Sequence, residues 1–370
     1  MWFDNIFYYN ITLFCTAFFV LGSKPSGMAG AYVSVEDDNM AFYWNPAKYT
    51  LNETTSFEIP LGVEIIATND IVKELNDVER EWEKEVWSYQ LIVELEDLKK
   101  EKMGLLINIY GGVSLQFKNY GLSIMEHRHA SGNPFFDKMD STLQIKYINI
   151  REYIFSHKAK NFLFDNLYLG SNLKILVGQL DYVAPKVLKE KDVEKKVAVT
   201  LKGKQAQTTT KLGLDIGLLY QKNNLSYGLV IKNLNSPKFS FPESASLEDY
   251  QLKQQIRAGV SFKTNKNVIL AVDCDVTKND TLLKGYQSQN LFAGIEYPLY
   301  NPYLVLRCGW MKNLSENDIG NVYSLGFGLN FLHLQADIAS AISGKKTKRD
   351  KTGEKFPVNL IGSVQLSGIF

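Results

Sequence analysis

The sequence predicts an all-β protein, a transmembrane antiparallel β-barrel of about 14 strands, and three observations support this fold class. From residue 56 onwards, apolar side chains recur at every second position in segments of about ten residues, which is the periodicity of a β-strand. Segments of this length can cross the hydrocarbon of a bilayer when they are tilted. Their opposite faces carry charges and glycines, and aromatic residues lie near their ends, as in membrane barrels. A soluble β-sandwich also alternates in this way and is the alternative.

The clearest strand pattern lies in residues 211–221, KLGLDIGLLYQ. Leu212 and Leu218 belong to its apolar face, whereas Asp215 and Gly217 belong to the opposite face. The next segment begins after Asn223-Asn224, and asparagine tolerates the left-handed dihedral angles of a tight turn. The two segments are therefore predicted to form a β-hairpin.

The last segment, residues 359–370, strengthens the membrane interpretation. It alternates apolar residues such as Leu366 with polar residues such as Gln365, and it ends on Phe370. An amphipathic C-terminal strand that ends on an aromatic residue is typical of bacterial outer-membrane barrels. We therefore expect the bacterial outer membrane as the location and its lipid as a partner.

The inward faces of the predicted strands combine small and charged residues. Gly217, Gly259 and Gly326 are expected to leave room for a lumen. The same faces carry charges that make the predicted wall polar, which disfavours a continuously apolar conduit. These charged residues are Asp215, Arg257, Lys263, Asp273 and Asp275.

Composition and motifs exclude several function classes. The 41 Lys and Arg residues nearly balance the 40 Asp and Glu residues, so no basic field predicts a nucleic-acid partner. The three cysteines are too few and too far apart for a disulfide framework or a zinc site. His127 and His129 would share one face of a strand, but two histidines alone do not make a metal site, and a lumen or loop position is the simpler interpretation. No catalytic motif occurs, so we predict a non-enzyme without cofactor or metal.

Three regions depart from the strand pattern. Residues 1–17 are predicted to be an atypical or truncated signal segment, with a buried N-terminal strand as the alternative. Residues 69–102 have apolar side chains at helical spacing and predict a helical insertion that packs on the barrel or on itself, or that binds a partner. The charged stretches 185–207 and 344–355 predict solvated loops.

Residues 27–49, GMAGAYVSVEDDNMAFYWNPAKY, differ from everything that follows them. Gly27 and Gly30 allow the backbone to pass close to a neighbouring wall. Pro46 has a fixed φ and no donor, so it favours a turn, which Asn45 can cap through its side chain.

This segment resembles the mature N-terminus of the FadL-like outer-membrane superfamily, most closely its PorV, TraF-like and spirochaetal branches. Those proteins begin with a glycine-rich run, then an Asp-Asp pair and a WNPA motif; here these are residues 27–33, 37–38 and 44–47. The sequence departs from the family at Ala29, where glycine is preferred, and at Asn39-Met40. The resemblance implies that residues 18–55 fold into the lumen as a hatch, inside a barrel formed by residues 56–370. The hatch residues that could contact a ligand, or only build a plug, are Gly27, Met28, Gly30, Phe42, Trp44, Asn45, Pro46 and Ala47.

The same resemblance implies two functions. The first is passive transport of a hydrophobic small molecule, such as a fatty acid, through a hatch-gated lumen. The alternative is a non-transporting barrel that serves as a docking or structural component of a secretion or conjugation system, with partner proteins of that system.

Overall fold

The chain is described by a computed structural model. The predicted signal segment (1–17), the helical insertion (69–102) and the Asp37-Asp38 pair lie outside the described residues, as does nearly all of the charged stretch 185–207. The structure describes residues 20–35, 40–50, 55–68, 104–117, 119–137, 140–159, 163–183, 206–243, 247–282, 286–300, 303–348 and 355–369.

Fourteen strands form a closed antiparallel barrel, which confirms the predicted fold class and strand number. Each strand pairs with the next barrel strand along the chain, and the first pairs with the last, from Ser56 opposite Ile369 to Ile66 opposite Asn359. The barrel strands are β1 (Ser56–Thr68), β2 (Gly104–Phe117), β3 (Tyr120–Asp137), β4 (Asp140–Ala159), β5 (Leu167–Val183), β6 (Gln207–Lys222), β7 (Leu225–Lys232), β10 (Gln255–Lys263), β11 (Ile269–Asp275), β14 (Asn290–Tyr300), β15 (Leu304–Asn313), β16 (Asn321–Phe331), β17 (Leu334–Ser343) and β20 (Asn359–Ile369).

Short elements complete the described chain. Three two-stranded hairpins lie in connections between barrel strands: β8 (Lys238–Phe239) with β9 (Tyr250–Gln251), β12 (Asn279–Asp280) with β13 (Gln287–Ser288), and β18 (Lys346–Lys348) with β19 (Lys355–Pro357). Two short helices, α1 (Ser23–Gly27) and α2 (Ala41–Trp44), precede the barrel, and a 3₁₀ helix (Pro46–Thr50) follows α2. Within the described helices, none is long and apolar enough to span a bilayer.

The two ends of the barrel differ in their connections. One end has short turns, including the predicted two-residue turn at Asn223-Asn224, where Asn223 has a φ of 56°. The opposite end carries the longer connections with all three hairpins. We call these the turn end and the loop end. Outer-membrane barrels have short turns on the periplasmic side and longer loops outside, which orients this chain.

Strands β3 to β6 are longer than the segments of about ten residues that the apolar alternation predicts. They contain 18, 20, 17 and 16 residues. The apolar alternation marks only the part of a strand that faces lipid, whereas backbone pairing continues towards the loop end. The barrel wall is therefore tallest on this side.

The faces of the strands agree with the sequence-based assignment. Leu212, on the predicted apolar face, is 61% exposed, and Leu325 in the alternating segment 321–331 is exposed to the same extent. Asp215 and Arg257, which were assigned inwards, are buried. The apolar surface of the barrel is thus on the outside, where it can meet lipid, and the buried core lies within the barrel.

Candidate functional site

Residues 20–35 and 40–48, which we call the N-terminal segment, lie inside the barrel. Every one of these residues is buried. Helix α1 packs against β15, β16, β17 and β20, whereas the 3₁₀ helix packs against β4, β5 and β6. The segment therefore contacts opposite sides of the inner wall.

Three pairs of glycines on neighbouring strands, which we call the glycine notches, receive the backbone of this segment. A Cβ atom on Gly170 would overlap the Pro46 carbonyl carbon. One on Gly294 would lie 2.7 Å from the Met28 Cβ, closer than real Cβ contacts allow. The absence of side chains at these positions lets the segment approach the wall. The notches are Gly170 with Gly217, Gly228 with Gly259, and Gly294 with Gly309.

Gly27 lies against the wall in the same way. A Cβ on Gly326 would lie 2.8 Å from the Gly27 Cα. The three inward glycines predicted to leave room for a lumen, Gly217, Gly259 and Gly326, do face inwards, but the space beside them is filled. The N-terminal segment occupies it at Gly217 and Gly326, and the Asp273 side chain of the wall occupies it at Gly259. The strand pattern alone could not show this, because alternation identifies a face but not what occupies it.

Backbone conformation explains the glycine preference at the start of the segment. Gly30 has a φ of 100°, which only glycine adopts readily. Ala29 has a φ of 53° and so carries the strain of a left-handed non-glycine residue. This is the position at which the sequence departs from the glycine-rich pattern.

The Asn45-Pro46-Ala47 turn is tied both to the segment and to the wall. Asn45 Oδ1 accepts a hydrogen bond from the Ala47 N–H at 3.1 Å, which is the predicted side-chain cap of the turn. Asn45 Nδ2 donates to the carbonyl oxygens of Val33 at 3.1 Å and of Leu218 at 3.0 Å. A single amide side chain therefore connects the turn, the preceding part of the segment and strand β6.

Asp273 on β11 provides a charged anchor. Its Oδ2 accepts hydrogen bonds from the backbone N–H groups of Tyr32 at 2.6 Å and Val33 at 2.7 Å. Hydroxyl groups add neutral anchors on other strands, because Ser261 Oγ donates to the Ser34 carbonyl and Ser324 Oγ to the Gly27 carbonyl, each at 2.8 Å. The anchors are spread around the barrel.

Aromatic packing and a buried ion pair hold the middle of the segment. Trp44 Nε1 donates to the Leu21 carbonyl at 2.8 Å, and its ring makes an edge contact with Tyr32. The Arg257 guanidinium lies 5.4 Å from the Trp44 ring centroid and pairs with Asp275 at 2.6 Å. This charge is thus satisfied by a carboxylate and an aromatic face while it is buried.

A cavity of about 720 Å³ adjoins the N-terminal segment on the loop end. Tyr43 of α2 contributes to its lining, together with strands β3, β4, β5 and β7 and residues 247–255 and 280–282. His127 and His129 line it with stacked rings 6.1 Å apart, in the lumen position that was the simpler interpretation. In the described part of the chain, no three His, Cys, Asp or Glu side chains are grouped as metal ligands.

A buried polar network connects this cavity with the segment. Lys174 Nζ, in the cavity lining, lies 2.8 Å from Asp215 Oδ2 and 3.6 Å from Glu152 Oε2. Asn172 Nδ2 donates both to Asp215 Oδ2 at 3.0 Å and to the Phe42 carbonyl at 2.6 Å. Lys174 is therefore connected to helix α2 through the side chains of Asp215 and Asn172, so a shift in the position of Lys174 is passed on to that helix.

A smaller cavity of about 300 Å³ lies at the turn end. Lys24, Glu58 and Tyr303 are among its lining residues. The N-terminal segment contributes to both cavities, with Tyr43 at the loop end and Lys24 at the turn end.

The eight sequence-predicted site residues all lie in the N-terminal segment and are buried. Among the described residues that line the loop-end cavity, Tyr43 represents this segment and none of the eight occurs. Ligand contact by Met28, Phe42 or Trp44 therefore stays a prediction. Sequence reasoning missed two features. It missed that the glycines pair across neighbouring strands, because strand pairing is not visible in one sequence. It also missed Lys174 and Lys232 in the cavity lining, because the packing of loops is not visible either.

Three solved structures with a similar fold are described as toluene transporters or as a FadL homologue. The Ralstonia pickettii toluene transporter TbuX matches with a TM-score of 0.57 at 12% identity, covering 94% of this chain and 98% of that chain. The Pseudomonas putida toluene transporter TodX matches with a TM-score of 0.52 at 12% identity, covering 94% and 96%. A Pseudomonas aeruginosa FadL homologue matches with a TM-score of 0.53 at 11% identity, covering 97% and 99%.

These similarities confirm the predicted FadL-like barrel fold. No curated protein matches the sequence. A family model, however, matches residues 88–275, about half of the chain. The chain belongs to the family described as "F plasmid transfer operon, TraF, protein".

Proposed function

We propose that this chain is a passive outer-membrane transporter for a small organic molecule with an apolar part, with the N-terminal segment as the hatch. The observation that carries the proposal is the cavity at the loop end, which has Tyr43 of the N-terminal segment in its lining. A molecule that enters from outside meets this segment before it can go further. The transport of toluene stated for two proteins of similar fold supports a small cargo with an apolar part.

Passage requires the hatch to move locally, and the polar network offers a way for the cargo to assist. A ligand that competes with Asp215 for Lys174 weakens the position of Asn172, which holds the Phe42 carbonyl. The buried anchors Asn45 and Asp273 keep the hatch in place when no ligand is bound. The resting barrel is therefore closed, and binding lowers the cost of opening.

Conductance in planar bilayers tests the hatch. Replacing Asn45 with alanine removes three hydrogen bonds, one of them to the wall, and destabilises the closed state by about 2 kcal/mol. We expect low conductance for the wild type and roughly thirtyfold more open time for Asn45→Ala.

The matched control is Asn235→Ala. Asn235 also bonds two backbone groups of β6, the Leu212 carbonyl at 2.8 Å and the Leu214 N–H at 3.1 Å, but it is remote from the hatch. Its conductance should equal that of the wild type. Equal conductance of all three proteins would overturn the hatch proposal.

The cargo is tested by solvent extraction and mass spectrometry of the folded, detergent-purified protein. A defined small molecule that accompanies the wild type and is lost from Asn45→Ala supports transport. An empty protein, together with unchanged conductance, would favour the second candidate, a docking or structural component of a conjugation or secretion system. The family description and the hairpins at the loop end favour that candidate as the alternative.

A further inference from the structure

We infer that the loop-end cavity binds a zwitterion that also carries an apolar group, such as an aromatic amino acid or a short apolar peptide. The inference names a ligand class for the cavity and rests on the proposed function only for the idea that this ligand is cargo. It is argued from the charges of both signs in the lining and from the apolar side chains beside them.

The part of the cavity beside Tyr43 is lined by two lysines. Lys174 on β5 and Lys232 at the end of β7 line it near Tyr43, and the Lys232 Nζ lies 3.1 Å from the centroid of the Tyr43 ring. Glu152 is the lining carboxylate at this level, and it contacts Lys174 and His127. Asp215, which faces inwards from β6 without lining the cavity, fixes Lys174. An incoming carboxylate can accept a further hydrogen bond from Lys174 or Lys232, because a lysine side chain carries more than one N–H donor.

The outer part of the cavity carries negative charge. Glu248 and Asp249 are exposed in the connection that leads to β9, and Asp280 lies on β12. Lys253 pairs with Asp280, and Lys146 on β4 also contributes to the lining. Three carboxylates thus face two lysines at this level, so an ammonium group is best accommodated near Glu248 and Asp249.

An apolar patch lies in the same lining. Phe241 and Leu282 are buried, and Leu247 and Leu252 pack against the same apolar core. A ligand with an aromatic or aliphatic side chain can cover this patch while its two charges meet the groups beside Tyr43 and the outer groups.

A plain hydrocarbon fits this lining poorly. Four lysines and four carboxylates line the cavity in the described residues, and a neutral apolar ligand would remove water from them without replacing its hydrogen bonds. A ligand with one charge matches only one level. A zwitterion matches both and leaves the net charge of the cavity unchanged.

Four probes built on the same phenylethyl unit separate these classes: L-phenylalanine, 3-phenylpropionate, 2-phenylethylamine and propylbenzene. Binding is measured by equilibrium dialysis with the full-length protein in detergent. L-phenylalanine should bind at least about tenfold more tightly than each of the other three, because only it matches both levels. Equal or tighter binding of propylbenzene or 3-phenylpropionate would overturn the inference.

Two sets of variants locate the charges. The double variant Glu248→Gln, Asp249→Asn should weaken L-phenylalanine and 2-phenylethylamine about tenfold and leave 3-phenylpropionate unchanged. The matched control removes the same two charges from another connection at the loop end, as Glu316→Gln, Asp318→Asn, and should change nothing. Lys232→Met should weaken L-phenylalanine and 3-phenylpropionate but not 2-phenylethylamine.

Glu248 and Asp249 are exposed, so the double variant Glu248→Gln, Asp249→Asn should fold. It tests the inference even if Lys232→Met does not fold. Failure of the inference and failure of the proposed function give different results. Selective binding of L-phenylalanine with no conductance effect of Asn45→Ala retains the site and removes the transporter. Unselective binding together with the expected conductance effect retains the transporter and removes this ligand class.

Discussion

Replacing Gly217 with alanine should release the N-terminal segment, which we propose is a hatch, from the barrel wall without unfolding the barrel. Gly217 forms a glycine notch with Gly170, and the Asn45-Pro46 turn occupies it. An alanine Cβ at Gly217 would overlap Asn45 Oδ1 and lie 2.8 Å from Pro46 Cδ. The backbone of β6 cannot move aside easily, because it pairs with β5 and β7 on its two edges.

The cost follows from these contacts. Overpacking costs about 1–3 kcal/mol, and displacement of the turn breaks the hydrogen bond from Asn45 to the Leu218 carbonyl, worth about 1 kcal/mol. The free energy that holds the hatch in place should therefore fall by about 2–4 kcal/mol, which speeds its opening roughly 30- to 1000-fold.

Hydrogen exchange of residues 40–48, followed by mass spectrometry, measures this opening, and heat-modifiable gel migration reports whether the barrel is folded. The control is Gly362→Ala, because a Cβ at Gly362 would have Val63 Cγ1 at 3.8 Å as its nearest neighbour. Exchange should accelerate for Gly217→Ala and not for Gly362→Ala. Unchanged exchange in Gly217→Ala, or equal acceleration in Gly217→Ala and Gly362→Ala, would refute the idea that the glycine notch holds the hatch in place.

Three further predictions concern the lipid face, the charged anchor and the strained backbone. Leu325→Arg, near the middle of β16, should destabilise the barrel by about 2–4 kcal/mol in reversible urea unfolding from vesicles, whereas Phe331→Arg at the turn end should cost about 0–1 kcal/mol. Equal costs would contradict the assignment of Leu325 to the middle of the bilayer and of Phe331 to its edge. Asp273→Asn should weaken the hatch by about 1.5–3 kcal/mol, because two backbone N–H groups lose a charged acceptor; hydrogen exchange of residues 30–35 measures this, and unchanged protection would count against the anchor. Ala29→Gly should raise the unfolding free energy by about 1 kcal/mol in the same urea assay, because it relieves a left-handed alanine, while Ala31→Gly should not; a loss at Ala29 would contradict the strain.

The barrel could be predicted from the sequence because its physical cause is local. A residue such as Leu325 must face lipid and its neighbour Ser324 must face inwards, so alternation in the chain reports the fold directly. The turn at Asn223 was visible for the same reason, since its left-handed backbone selects asparagine. The extra length of β3 to β6 was not visible, because pairing beyond the lipid needs no apolar residues.

The candidate site depends on contacts between distant parts of the chain. Asp273 was recognised as an inward charge, but its partners Tyr32 and Val33 are about 240 residues away in the sequence. The pairing of Gly170 with Gly217 depends on strand register, and the cavity depends on how residues 247–255 fold back over the wall. Neither feature has a local sequence pattern, whereas the resemblance of the N-terminal segment to a known family indicated where to look.

Molecules should pass this barrel only when the hatch moves, and a reversible covalent lock on the hatch is the decisive experiment. Ser261 Oγ donates to the backbone carbonyl of Ser34 at 2.8 Å, so these two residues lie against each other, and the pair Ser34→Cys, Ser261→Cys places one thiol on the hatch and one on β10. The pair is placed in the Asn45→Ala chain after the native cysteines are changed to serine, with each single cysteine as a control. Once the two thiols have formed a disulfide, which titration of free thiols verifies, conductance should be low, and a reducing agent should restore it; equal conductance before and after reduction would show that molecules pass without movement of the hatch.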